Sequence, residues 1–423
     1  MSTTLAVDGG VPVIAASTLK SWPEFTDADR AAVLKVFDNN QFHTHSAPFA
    51  QELQRQWAEY CGVRHCLVTN GGTGALHMAL AAAGVQAGDE VITSAYSYWA
   101  TAAAVLHQNA IPVFADADPV TTTLDPAKIE EQITERTTAI LPVDIHGMPA
   151  DMDPIREIAR KHRLLLIADC CQAHGATYKG RRVGGLADIS GFSMNRSKNL
   201  TGGEGGLVTT DSDEHLRRCE AMLRFQNVAD DEGTPVFSGL GFNYRPHEFV
   251  NAFALAQLES FPARNEQRKQ MAAYLTQALA EIPGVSGPCV PDYADPVYFS
   301  YLWEAKPEEL GLDISASTLR KGLCKALAAE GVPAYPVQAQ PVPAEGVFQA
   351  KLGYGRGCPW RCHGREIVYR AEDYPGTLQI CATKGFLGGV HPPNDMAPMG
   401  QYVEAFAKVL GRLDRVLQLA EEE

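Results

Sequence analysis

Lys198 lies in the stretch GFSMNRSKNLTGGEGG (191–206), where an apolar strand end runs into a polar turn. A primary amine in that setting is a candidate covalent anchor for a cofactor. Glycines at 202, 203, 205 and 206 let the backbone bend tightly and come close to another group, and Ser193 and Ser197 add hydroxyls suited to phosphate. A solvated loop lysine fits the same local pattern.

Three further places bear on the choice. After CLVTN, the run Gly71-Gly72-Thr73-Gly74 opens a helix, presenting free backbone N–H groups and one hydroxyl at the positive end of its dipole. A tight strand-to-helix turn would use the same glycines. The Lys-Ser/Thr of a P-loop is missing, which argues against a nucleoside triphosphatase. After LLLIA come Asp169, Gln172 and His174. A carboxylate at the end of a buried strand is costly unless a cation pairs with it, and a protonated pyridine nitrogen would be such a cation. A helix N-cap is the structural alternative. After VITSA, the run Tyr96-Ser97-Tyr98-Trp99 offers aromatic faces for stacking on a planar ring or for core packing. Amine, phosphate cradle, buried aspartate and aromatic together are the parts of a pyridoxal phosphate site.

The elements that would position these groups follow from the hydropathy pattern. Residues 1–25 read as an arm, and Asp27 to Val36 and Pro48 to Tyr60 have helical apolar spacing. From His65, short apolar runs alternate with helix-like stretches: Thr73 to Gly84, Tyr98 to His107, Pro126 to Ile133 and Met152 to His162. The pattern predicts an α/β fold with a mostly parallel central sheet covered by helices. In such a sheet ligands sit at the carboxyl ends of the strands, where the four candidate groups fall. A long helix from Glu248 to Ile282 leads into a smaller C-terminal α+β domain holding helices Ser315 to Glu330 and Met399 to Ala420. Between these lies an irregular, Gly/Pro-rich segment, Pro341 to Pro393. The expected division is 1–25 arm, 26–260 large cofactor-binding domain and 261–423 small domain.

The chain has 423 residues, 45% of them hydrophobic, and 50 acidic against 36 basic side chains give a net charge of −14. That balance, without any basic stripe, argues against nucleic acid as a partner. No apolar run reaches the ~20 residues that span a bilayer, and a cytoplasmic protein is expected. The ten cysteines read as reduced thiols packed as small hydrophobes. Cys358, Cys362 and His363 cluster, but in no common zinc spacing, and no metal is expected.

The ordered motifs VTNGGTGALHMAL, GDEVITSAYSYWATAAAVLHQNAIPVFADAD, DIHGMPADMDPI, ADCCQAHGATYKGRRVG, FSMNRSKNLTGGEGG and GFNYRPHEFVNAFALAQLE cover most of the chain. Together they resemble the sugar aminotransferase family typified by DegT, a branch of the aspartate aminotransferase-like, fold type I enzymes. The resemblance implies pyridoxal 5'-phosphate as cofactor, Lys198 as its covalent anchor, Asp169 at the pyridine nitrogen and Gln172 near the ring hydroxyl. It also implies Gly72, Thr73 and Ser193 at the phosphate, Tyr98 as the stacking aromatic, and Asn243 reaching the phosphate of the neighbouring subunit in a homodimer with shared active sites. Dehydratases of the family carry histidine in place of the lysine, so Lys198 disfavours that branch. Two departures stand out: Asn195-Arg196 before Ser197-Lys198, and Cys170-Cys171 after Asp169. A guanidinium beside Lys198 would bind an anion or depress the lysine pKa.

The implied reaction is transamination, from glutamine or glutamate to a keto-cyclitol or keto-sugar. LAVDGGVPV, YPGTLQ and HPPNDM resemble the glutamine:scyllo-inosose branch more than the nucleotide-sugar branch. A neutral cyclitol needs hydroxyls, amides and ring nitrogens, which Gln41, His43, His45 and the 341–393 segment could supply. A nucleotide-sugar acceptor would want a pair of cations, for which Arg196 and Arg245 are the candidates near the motifs. An eliminating or aromatising enzyme like the aminohydroxybenzoate synthases, and a non-catalytic binding protein of the same fold, are the rival readings.

Overall fold

The computed structural model describes residues 4–40, 42, 47–223, 227–229, 235–237 and 241–422. The apolar runs become strands β1 (His65–Thr69), β2 (Glu90–Ser94), β3 (Ile111–Ala115), β4 (Thr137–Leu141) and β5 (Leu165–Asp169). A two-stranded ribbon of β6 (Thr177–Tyr178) and β7 (Arg181–Arg182) precedes β8 (Ile189–Ser193) and β9 (Gly206–Thr210). Seven strands form one sheet in the order β1-β9-β8-β5-β4-β2-β3. Every residue of β2, β8 and β9 is buried, which is why these strands read as unbroken apolar runs.

The sheet is parallel from β3 through β2, β4 and β5 to β8, and β9 runs antiparallel to both β8 and β1. The exception has a plain cause. Between β8 and β9 lies the glycine-rich turn and no crossover helix, so the chain reverses. Lys198 sits in that reversal, on the side of the sheet where β1, β2, β4, β5 and β8 end.

The covering helices are α1 (Asp27–Asn39), α2 (Pro48–Cys61), α3 (Gly72–Ala83), α4 (Ala100–His107), α5 (Met152–His162), α6 (Asp213–Leu223) and α7 (Glu248–Leu279). Three expectations change here. Tyr98 and Trp99 precede α4 and are not part of it. The expected helix at 126–133 is two 3-10 turns, Pro126–Lys128 and Glu130–Gln132, closed by i→i+3 bonds with Ile129 buried between them. The expected single closing helix is two, Met396–Leu410 and Leu413–Glu421. The break comes after Gly411, a weak helix former, where Arg412 turns to φ −131°.

A second, wholly antiparallel sheet pairs Val285–Ser286, Tyr301–Ala305, Lys384–Leu387 and Ala334–Pro336 in that order. Residue 260 falls inside α7, whose Ala254 and Leu258 pack in the core of the large sheet and whose Met271 and Leu275 pack in the core of the small one. The arm crosses to the second unit: Leu5 and Ile14 enter its core, and Glu330 accepts from the Ala6 and Val13 amides at 2.8 and 3.1 Å.

The 341–393 segment is more ordered than its composition suggests. It holds helices Gly346–Ala350, Trp360–His363 and Pro375–Thr383 as well as the strand Lys384–Leu387. Phe348, Trp360, Tyr369 and Tyr374 pack around Phe114 of β3, and the buried His363 Nε2 meets the buried Glu90 Oε1 of β2 at 3.0 Å. Cys358 and Cys362 are joined as a disulfide, against the expectation of reduced thiols throughout; their Cα atoms are 5.4 Å apart, a spacing that permits the bond.

Candidate active site

The residues following β1, β5 and β8 converge on a cavity of about 660 Å³. Gly72, Thr73, Tyr98, Asp169, Gln172, Ser193 and Lys198, seven of the eight site residues expected from the sequence, line it. Asn243 does not. It is exposed, at φ +56°, and its side-chain oxygen accepts from Arg245 Nε at 2.7 Å. Its neighbour Tyr244 lines the cavity instead, with its carbonyl accepting from the Asn70 amide and the Thr69 hydroxyl at 2.8 and 3.1 Å.

The cradle is built by close approach. A methyl group on Gly72 would stand 2.6 Å from Ser193 Cβ and 3.2 Å from Cys171 Sγ, so only glycine lets the start of α3 lie against the end of β8. The amides of Gly72, Thr73 and Gly74 begin a helix with no carbonyl a turn behind them, and the Thr73 and Ser193 hydroxyls border the same space. This is a donor set for an anion.

Asp169 ends β5 and is only 5% exposed. Its Oδ2 accepts from Thr101 Oγ1 at 2.6 Å and its Oδ1 from the Cys171 amide at 3.0 Å, bonds that offset part of the cost of burying it. No helix follows it, so the capping alternative falls.

The Lys198 amine lies 4.4 Å from the centroid of the Phe299 ring. Burial pulls its pKa down, while Cys171 and Asp169 pull the other way. The backbone is fixed on both sides, the Lys198 amide donating to Asn195 O at 2.9 Å and the Trp22 indole donating to Lys198 O at 3.2 Å. Arg196 is exposed, lines a neighbouring cleft of about 720 Å³, and is not among the charges acting on Lys198. Its expected influence on the lysine pKa is therefore not seen.

Gln172 stands between this cavity and a third of about 730 Å³, its Oε1 accepting from the His146 amide at 2.7 Å. His146 Nε2 meets Tyr96 OH at 2.8 Å, and burial depresses the ring pKa to about 3. Tyr98 is 61% exposed at the mouth shared by the two spaces. Gln41, His43 and His45 lie outside the described residues. Among the described residues no group of three His, Cys, Asp or Glu side chains could hold a metal, and no helix is long and apolar enough to cross a membrane.

Sequence reasoning missed Trp22, Phe299 and Arg268. The first two come from segments remote from every motif. Arg268 carried a signal: Arg264 and Arg268 stand four residues apart on one face of a helix, a like-charge pair that favours neither the helix nor burial.

Residues 23–360 match the DegT/DnrJ/EryC1/StrS aminotransferase family. The L-glutamine:scyllo-inosose aminotransferase of Streptomyces griseus is 38% identical over 325 residues, covering 74% of this chain and 76% of its own. The GDP-perosamine synthase of Caulobacter vibrioides is 38% identical over 316 residues, covering 74% and 82%. The crystal structure of a 3-amino-5-hydroxybenzoic acid synthase superposes with a TM-score of 0.81 at 26% identity, covering 94% of this chain and all of that one.

Proposed function

The chain belongs to the DegT/DnrJ/EryC1/StrS aminotransferase family, and from that premise we propose that it passes the amino group of glutamine or glutamate to a keto-cyclitol, with pyridoxal 5'-phosphate as cofactor. The observation that carries the reading is one cavity holding a half-buried amine, a buried carboxylate and an anion cradle at three separate strand ends. These residues suit the cofactor chemically. Gly72, Thr73 and Ser193 would hold its phosphate, Asp169 a proton on its ring nitrogen, and Lys198 its aldehyde carbon. Tyr98 would cover the ring and Gln172 would meet its hydroxyl.

Pyridoxal phosphate, when bound, supplies a ring that takes up the electrons left as the substrate carbon loses its proton. The chain's own part is acid–base work. The Lys198 amine would take a proton from one carbon and return it to another, for which it must be neutral; burial favours that form. Asp169, anchored by Thr101, would hold the proton of the ring nitrogen.

The third cavity supports a neutral polyol as acceptor. Tyr96, Ser97, His146, Gln172, Ser300 and Gln338 line it with hydroxyls, a ring and amides, Glu345 adds one carboxylate, and among the described residues no lysine or arginine lines it. A nucleotide-sugar acceptor is the second reading, favoured by the likeness to a GDP-perosamine synthase. Arg245, a candidate cation for its phosphates, bonds to Asn243 and does not line any of the three cavities. The proposal includes a cytoplasmic homodimer with shared sites, as the family resemblance implies.

Borohydride reduction and peptide mapping test the anchor: label on Lys198 alone is expected, and label on Lys179 or Lys384 instead refutes it. Enzyme loaded with amine from glutamine should then aminate scyllo-inosose. Consumption of a keto-sugar nucleotide alone would reverse the choice of acceptor.

A further inference from the structure

One buried charge is left over by this account. Arg268 on α7 is 2% exposed, and its one hydrogen bond among the described residues runs from Nη1 to Asn265 Oδ1 at 3.2 Å. The charge acting on it is like-signed: Arg264, one turn back and itself 8% exposed. Burial and this neighbour bring its pKa to about 9, which leaves it a cation at neutral pH. A guanidinium has five donors, and one buried without a counter-ion is costly.

What covers Arg268 is an indole. The Trp22 ring centroid lies 5.3 Å from the Arg268 guanidinium and 5.6 Å from that of Arg264, and the same indole is bonded to the carbonyl of Lys198. Arg268 lines, with Arg196 and His391, the cleft of about 720 Å³ beside the Lys198 cavity. Asn195, Ser197, Glu204 and Phe299 line both spaces. Glu204, the one carboxylate in the cleft lining among the described residues, is exposed and accepts from Asn195 Nδ2 at 2.9 Å. Lys198 lines the cavity and not the cleft, and Arg268 the cleft and not the cavity, so the two cations stand in adjoining spaces.

We propose that Arg268 is an oxyanion subsite: it receives the charged group at the end of a substrate remote from the amine or ketone that reacts at Lys198. The planar fork, backed by Trp22, suits a carboxylate or a phosphate edge. The inference rests on the aminotransferase reading for what reacts at Lys198, and on Arg268 alone for what is bound. Two sources supply such a group, the side-chain carboxylate of a dicarboxylic donor such as glutamate and the phosphate of a phosphorylated acceptor.

The test uses cofactor-loaded enzyme and two readouts. Calorimetry with glutarate, which has the carboxylates and no amine, measures binding without turnover. Arg268→Gln should weaken it by about 100-fold, and Arg268→Lys, which keeps the charge without the fork, by about 10-fold. The donor half-reaction, followed by cofactor absorbance, then separates the sources. A rise of about 100-fold in half-saturation for glutamate, with glutamine little changed, assigns the donor carboxylate. Unchanged donors and lost affinity for a sugar nucleotide assign the acceptor phosphate. Glutarate, donors and sugar nucleotide all unchanged in folded Arg268→Gln would overturn the inference. If that variant does not fold, Arg268→Lys binding glutarate like wild type would do the same. Equal losses for glutamate and glutamine would overturn it too, since the recognised group would not be remote. Failure of the wild type to react with any amino acid would instead refute the aminotransferase reading, and the glutarate result would still stand.

Discussion

The Thr101 hydroxyl donates to Asp169 Oδ2 at 2.6 Å, and Ser97 Oγ meets Thr101 Oγ1 at 2.8 Å, so the carboxylate at the end of β5 is aimed by the first turn of α4. Asp169→Asn keeps the shape and removes the charge. Its turnover should fall by at least ~100-fold, the usual weight of a proton-holding group, while bound cofactor remains visible by absorbance. Thr101→Val should cost about 10-fold, the worth of one charge-assisted bond. Unchanged turnover in Asp169→Asn would reduce the aspartate to a structural role.

Burial lowers the pKa of Lys198 from 10.5. In cofactor-free enzyme the unfolded chain then holds the proton up to higher pH than the folded one. Stability therefore rises with pH between the lowered value and 10.5, and Lys198→Met should lack that rise. Acylation of Lys198 in the cofactor-free protein, followed by mass spectrometry, should show a midpoint below 10.5. A midpoint at or above that value contradicts the reading of a lysine ready to accept a proton.

Asp144, fully buried, is pushed from 3.8 to about 7 by burial, against the pull of the Ala150 amide and the Cys170 thiol. Its sign is opposite to that of Lys198. Between pH 3.8 and about 7 the folded protein keeps a proton that the unfolded chain has lost, so stability falls as pH rises through that window. Asp144→Asn has no proton to lose. Its denaturant midpoint should gain on wild type from pH 5 to pH 7, by up to ~1.4 kcal/mol per unit, and the gap should level off above. A gap that does not change with pH refutes this.

Gly72 and Gly71 make a matched pair for the cradle. A methyl on Gly72 meets Ser193 Cβ at 2.6 Å, whereas one on Gly71, in extended backbone, meets nothing within 4 Å. Gly72→Ala should weaken cofactor binding by ~10- to 100-fold, since overpacking costs about 1–3 kcal/mol, and Gly71→Ala should change it little. Titration of the cofactor-free proteins measures both. Equal effects would place the phosphate elsewhere.

How much of this could be read from the sequence depended on the scale of the interaction. Strands such as β2 and β8, buried on both faces, announce themselves as apolar runs, and the groups at their ends follow from chain order; that is why seven site residues fell in one cavity. The antiparallel direction of β9 was not legible, because an apolar run carries no direction. Composition misled at 341–393, where many Gly and Pro residues conceal an aromatic cluster that packs against Phe114, far away in sequence. The Cys358–Cys362 bond and the placement of Trp22 against Lys198 and Arg268 are likewise tertiary facts. Asn243 is a different case, since its expected role belongs to a second subunit.

That role gives the last prediction. Asn243 is exposed, in a left-handed turn, and absent from the cavity lining of its own chain. Phe25, Leu34 and Phe37 are also more than half exposed, a good deal of apolar surface for a monomer to leave wet. If two copies share their sites, Lys198→Ala and Asn243→Ala subunits, each inactive alone, complement one another. Random pairing makes half the dimers hybrid, each with one intact site of two, so an equal mixture should recover about a quarter of wild-type activity. Labelled subunits must be shown to exchange, and Asn243→Ala must be inactive by itself. No recovery under those conditions means that each chain completes its own site, and Tyr244, already on the cavity wall, becomes the residue to examine.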